Sequence, residues 1–125
     1  MKQDKIIKVT SQNCDLFFFN KFKKFIKTPE RIFFLIAKKE CVRGNHAHKK
    51  CSQFFISLKA TIKIELDDGS KKRQIQLKQG HILKIKPMIW VKVQLKKNQI
   101  LCVICDKKYS PKEYIRNYKV FKELI

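Results

Sequence analysis

Apolar and polar residues alternate along most of this chain with a period of two, the signature of strands with one covered face. Ile6 to Val9 and Leu16 to Phe19 predict two early strands. Lys21-Phe22-Lys23-Lys24-Phe25 follows, and Thr28-Pro29-Glu30 predicts a turn. Arg31 to Ala37 and Gln53 to Leu58 are apolar runs of strand length. The clearest hairpin is Thr61 to Leu77. Ile62, Ile64 and Leu66 fall on one side of it, and Lys63 and Glu65 on the other. Asp67-Asp68-Gly69-Ser70 supplies its turn, and Ile75 and Leu77 lie on the returning strand. Gly80 opens a turn before His81 to Ile85; Val91, Val93 and Leu95 alternate, and Ile100 to Cys105 closes the set. Many short strands at regular spacing predict an all-β barrel or sandwich.

One helix is expected, at the end. Ser110-Pro111-Lys112-Glu113 reads as a capping box with proline in the first turn. Tyr114, Tyr118 and Phe121 then recur at helical spacing, which predicts an aromatic stripe packed onto the barrel, with Tyr118 and Phe121 as core residues.

At 125 residues and 44% hydrophobic content, the chain reads as one domain over residues 1–125 with a core of its own. No apolar run approaches the roughly 18 residues a spanning helix needs. Met1-Lys2-Gln3-Asp4-Lys5 lacks the layout of a signal peptide, which predicts a cytoplasmic protein. The five cysteines, Cys14, Cys41, Cys51, Cys102 and Cys105, are odd in number and suit a reducing compartment. Cys102 and Cys105 form a C-x-x-C inside a buried strand with no helix N-terminus to activate a thiol, so both are expected to be inert.

The formal net charge of +20 invites a nucleic-acid reading. The arginines, however, are only Arg31, Arg43, Arg73 and Arg116. Base recognition and bidentate phosphate grip favour arginine. The lysines are spread along the chain, many on the polar side of strands, as in Ile62-Lys63-Ile64 and Val91-Lys92-Val93. That pattern is a solvated sheet face, whose charge also draws in a small anionic ligand.

The chemistry gathers at Arg43-Gly44-Asn45-His46-Ala47-His48. Residues two apart on a strand face one side, so both imidazoles meet in one pocket if that side is the interior. His-x-His on a β-barrel is also the metal signature of cupins, where a Glu follows and a second motif brings another His. Here Gln53 stands near the Glu position, and Gly80 to Lys92 keeps the second motif with Lys92 at its ligand position. Two His, an amide and an ammonium make a poor metal site. Proton chemistry without a metal or other cofactor is therefore expected, because imidazole takes and returns protons near neutral pH. His81 as a substitute ligand keeps the metal alternative open.

Several segments occur in order: Arg31-Ile32-Phe33-Phe34-Leu35, Arg43 to Lys49, Gln53, Asp68-Gly69, Pro87-Met88-Ile89-Trp90, Tyr109 to Tyr118, and Phe121. In these the chain resembles the sugar 3,4-ketoisomerase family, the WxcM-like cupins acting on dTDP-4-keto-6-deoxy-D-glucose. The resemblance implies a small jelly-roll barrel with a C-terminal helix. It implies a metal-free homodimer, often with exchanged N-terminal strands. The product would be a dTDP-3-keto-6-deoxyhexose, feeding a PLP-dependent aminotransferase and an acyltransferase toward 3-amino sugars of surface polysaccharides. His46 and His48 match the catalytic pair, Arg31 and Arg43 match basic positions near the nucleotide, and Gln53 and Trp90 match pocket-wall positions. Phe33 and Phe34 stand where members often carry tyrosines. Two alternatives stay open: a related nucleotide-sugar epimerase, and a non-enzymatic basic domain that binds nucleic acid.

Overall fold

The computed structural model describes residues 3–20 and 22–125; Met1, Lys2 and Lys21, parts of the N-terminal and lysine-rich segments named above, lie outside the described residues. Twelve strands follow in chain order: β1 (Gln3–Lys5), β2 (Ile7–Thr10), β3 (Asp15–Phe18), β4 (Arg31–Ile36), β5 (Cys41–His48), β6 (Gln53–Lys59), β7 (Ile62–Asp67), β8 (Lys72–Leu77), β9 (His81–Ile85), β10 (Trp90–Leu95), β11 (Ile100–Cys105) and β12 (Tyr114–Ile115). Among the described residues one α-helix, α1 (Tyr118–Leu124), follows the last strand. Two antiparallel sheets of five strands run in the orders β1-β9-β6-β11-β4 and β12-β5-β10-β7-β8, and β2 and β3 form a separate hairpin.

The core between the sheets follows from the period-two pattern. Ile62, Ile64, Leu77, Leu83, Leu101 and Val103 are almost fully buried, with Val91, Val93 and Leu95 beside them. The lysines between them, Lys63 and Lys92, fall on the other face of the second sheet. The predicted hairpin is present. Asp68 Oδ1 accepts from Ser70 N at 2.9 Å and Lys71 N at 2.8 Å, and Gly69 takes φ 97°.

The continuous burial of Gln53 to Ser57 has a second cause. The outer face of the first sheet presents Phe54, Ile56, Ile82, Cys102 and Ile104, and Ile6, Ile26, Phe17, Phe19, Phe22 and Phe25 cover it. Cys102 and Cys105 are buried, as expected. The cover stops short of β4, whose outward residues Ile32, Phe34 and Ile36 are 58%, 53% and 66% exposed.

Two expectations need correction. The strand expected at Ile6 to Val9 is interrupted at Ile6, whose N–H bonds to Gly80 O at 2.9 Å. Residues before it join β9, and residues after it join β3. The single helix expected from Pro111 is also absent. Pro111–Glu113 forms one 3-10 turn, Ser110 makes no side-chain cap bond, and the chain then extends as β12. The Glu113 carboxylate, expected to close the cap, instead accepts from the N–H groups of Lys50 and Cys51. The helix starts at its own cap, Asn117, whose Oδ1 accepts from Val120 N at 3.1 Å. Phe121 is fully buried, whereas Tyr118 is 37% exposed.

Candidate active site

The site is built on β5. Gly44 and Asn45 both take positive φ, 92° and 57°. The pairing with β10 slips there: Val91 faces His46, and Lys92 faces Gly44. This bulge re-aims the residues that follow it. Glycine is required at its first position, since a Cβ on Gly44 would stand 2.8 Å from the carbonyl oxygen of Val91. Beyond the bulge Ala47 is buried against Ile115 and Phe121, and the two flanking imidazoles point the other way. Their centroids are 5.1 Å apart.

His46 lines a cavity of about 500 Å³ between the sheets, with Arg31, Arg43, Gln53, Tyr109, Tyr114 and Arg116 at its polar positions. Its Nδ1 lies 3.2 Å from Gly44 O. A carbonyl only accepts, so Nδ1 carries the hydrogen and the Nε2 lone pair is open. His48 is 5% exposed, and neither of its ring nitrogens has a partner among the described residues. Unpaired buried polar atoms are costly and concentrate where a ligand completes them.

β12 brings a residue that sequence reasoning placed on a helix. Tyr114 pairs with His48, and Ile115 with Ala47. The Glu113 carboxylate anchors this segment to the turn after β5, as does the bond from Lys49 N to Glu113 O at 3.0 Å. The Tyr114 ring stands 4.9 Å from His46 and 4.4 Å from His48, centroid to centroid. Its hydroxyl accepts from Arg31 Nη1 at 2.8 Å. The Arg31 guanidinium also stacks on Phe33 at 4.5 Å and Tyr109 at 4.9 Å, and Arg116 stacks on Tyr114 at 4.4 Å. The signal for Tyr114 was the β-favouring Tyr-Ile pair, followed by Asn117 as a second cap three residues before Val120.

These surroundings set the protonation of the pair. Burial lowers the pKa of His46 below 6.5, against its bond to Gly44, and Arg116, Arg43 and Arg31 lower it further. Burial first and His46 second push His48 down to about 4, with Glu113 opposing. Both rings are therefore neutral near pH 7.

The structure thus gathers Arg31, Arg43, His46 and Gln53 around one cavity, with His48 against it. Gln53 is buried, and its Nε2 donates to Cys105 Sγ at 3.5 Å. Trp90 is not brought to that cavity. Val91 points inward, so by strand alternation Trp90 and Lys92 point outward. They line a different concavity with Asp67 and Tyr118, and Trp90 packs on Tyr118 and Phe121. His81 lies on β9, paired with Lys5, away from His46. Among the described residues no three His, Cys, Asp or Glu side chains cluster as a metal site would need.

Comparison with known proteins adds to this geometry. The family described as FdtA, WxcM-like, C-terminal, matches residues 1–125. A curated relative, the TDP-4-oxo-6-deoxy-alpha-D-glucose-3,4-oxoisomerase of Aneurinibacillus thermoaerophilus, is 30% identical over 99 residues, which cover 77% of this chain and 71% of the relative. The solved structure of WlaRA, a TDP-fucose-3,4-ketoisomerase from Campylobacter jejuni, is 32% identical with a TM-score of 0.81, covering 98% of this chain and 93% of that one. QdtA, a sugar 3,4-ketoisomerase from Thermoanaerobacterium thermosaccharolyticum solved with TDP, is 25% identical with a TM-score of 0.87, covering 98% and 92%.

Proposed function

The chain belongs to the FdtA, WxcM-like C-terminal family and is a TDP-sugar 3,4-ketoisomerase, and from that premise we propose that His46 and His48 perform the proton transfers on a 4-keto-6-deoxyglucose unit. The observation that carries this is the pair of neutral, adjacent imidazoles, His46 lining the cavity with Nε2 open and His48 buried beside it with both nitrogens unpartnered. A ketone acidifies the C–H beside it. A neutral imidazole within reach takes that proton, and the sugar passes through an enediol. Return of a proton to the former carbonyl carbon completes the shift from 4-keto to 3-keto.

His46 forms the cavity wall and is the base that meets the C3 proton; His48, buried behind Tyr114, pairs with it. Arg31 and Arg43 hold the diphosphate, since guanidinium groups grip phosphate oxygens bidentately. Gln53 completes the wall. Trp90 is left out of this set because it faces the outer concavity. The donors present suit proton transfer better than metal binding, and the reaction is metal-independent in this reading. Its product feeds amination at C3, in the making of 3-amino-3,6-dideoxy sugars.

The working form is a homodimer, with exchange of N-terminal strands between copies. The exposed Ile32, Phe34 and Ile36 stripe supports this, because it continues an apolar face that the chain's own phenylalanines cover only in part. The enzyme works in the cytoplasm, where its five free cysteines stay reduced.

The test is incubation with dTDP-4-keto-6-deoxy-D-glucose in D2O, followed by NMR of the sugar ring. A 3-keto product with deuterium at C4 is expected. An inverted carbon with the ketone still at C4 would point to an epimerase instead. An unchanged sugar, with duplex DNA binding that falls steeply with salt, would favour the nucleic-acid reading.

A further inference from the structure

Moving a keto group from C4 to C3 shifts protons on oxygen as well as on carbon. The C4 oxygen gains a proton and the C3 oxygen loses one. Neutral imidazoles accept protons but are poor donors, and burial together with Arg31, Arg43 and Arg116 keeps His46 neutral. The oxygen protons therefore need a separate carrier.

The cavity offers a group placed for this. Tyr114 sits against both imidazoles, 4.9 Å from His46 and 4.4 Å from His48. Arg31 has only donors, so its 2.8 Å bond uses a lone pair of the Tyr114 oxygen and leaves the phenolic hydrogen free for a ligand. The other phenol on the wall, Tyr109, is 56% exposed and lies under the Arg31 guanidinium. Phe33 has no hydroxyl, and the Gln53 amide gives up no proton.

We propose that Tyr114 is a third catalytic residue, carrying a proton between the two sugar oxygens while an imidazole carries the proton between the two carbons. This rests on the ketoisomerase reading. As an imidazole takes the C3 proton, the C3–H electron pair becomes the C3–C4 double bond. The C4 carbonyl π bond breaks, and its oxygen takes the Tyr114 proton. An enediol, a tyrosinate and an imidazolium result. The C3 hydroxyl then returns a proton to the tyrosinate as C3 becomes the carbonyl, and the double-bond electrons take the imidazolium proton at C4. Tyr114 and the histidines end as they began, and no oxidant or reductant enters. Arg31 offsets the tyrosinate charge through a charge-assisted bond to the Tyr114 oxygen.

The test compares wild type with Tyr114→Phe on dTDP-4-keto-6-deoxy-D-glucose, with TDP binding measured alongside. Turnover is expected to fall by about 100-fold or more, the scale of a lost positioned acid, with KM and TDP affinity little changed. A Tyr114→Phe variant that isomerises at the wild-type rate overturns this inference alone. A wild-type chain that leaves the sugar unchanged overturns the ketoisomerase reading and this inference with it. If the phenylalanine variant does not fold, 3-fluorotyrosine at position 114 replaces it. Its turnover is expected to differ from wild type with TDP affinity kept, and an unchanged turnover overturns the proposal.

Discussion

The rings of His46 and His48 stand edge to face, their centroids 5.1 Å apart and their planes at 88°. Adjacent imidazoles disfavour each other's charge, and His46 is the second-largest cause holding His48 down. Both rings therefore stay neutral near pH 7, and His48 is the less accessible of the two.

Replacing His46 with Asn should remove both isomerisation and deuterium uptake, because the base at the cavity wall is lost. Replacing His48 with Asn should cut turnover by about 100-fold or more. Rates read by NMR in D2O check both. Wild-type rates in both variants would make the histidines structural and end this account of the mechanism.

The same burial makes stability depend on pH. A depressed histidine pKa means that the unfolded chain binds protons more readily than the folded one. The contribution of His48 is complete above pH 6.5 and is lost as pH falls toward about 4. The loss is on the order of 3 kcal/mol for a shift of that size. Urea midpoints across this window should fall with pH in wild type and more shallowly in His48→Asn. A His48 resonance titrating near 6.5 would contradict it.

Arg31 and Arg43 share the cavity but differ in their bonds. Arg31 holds the Tyr114 hydroxyl, whereas Arg43 lines the wall beside the bulge. Arg43→Ala should raise KM by about 10-fold or more with turnover largely kept, as for a contact made equally in ground and transition states. Arg31→Ala should lower turnover as well. Equal kinetic effects from the two variants would show that the Arg31–Tyr114 bond has no part in the chemistry.

Gly44→Ala should damage both fold and activity. The new Cβ would meet backbone at 2.8 Å in a residue with φ 92°. A loss of about 1–3 kcal/mol is expected, with lower turnover because His46 follows the bulge. A variant with unchanged Tm and rate would mean that the bulge can shift at no cost.

Exhaustive chelation should leave full activity. The donors around His46 are an amide, guanidinium groups and phenols, a poor set for a catalytic metal. Activity that disappears with chelator and returns with one divalent ion would overturn the metal-free reading.

Most of the fold was legible because strand alternation is a local property. Ile62, Ile64, Val91 and Val93 announce their buried face through their immediate neighbours. The same rule places His46 and His48 on one side of β5, and the chemistry of two imidazoles on one wall follows from the chain alone. What stayed hidden depends on partners distant in sequence. Ser110 and Glu113 form a valid local helix signal, but Glu113 gains more by accepting from the N–H groups of Lys50 and Cys51. That contact draws Tyr114 onto β5 as a strand. Arg31 and Tyr114 are 83 positions apart, and only the packing of the two sheets puts a guanidinium and a phenol beside the imidazoles. Local propensity selected the strands, and non-local hydrogen bonds selected which side chains share the cavity.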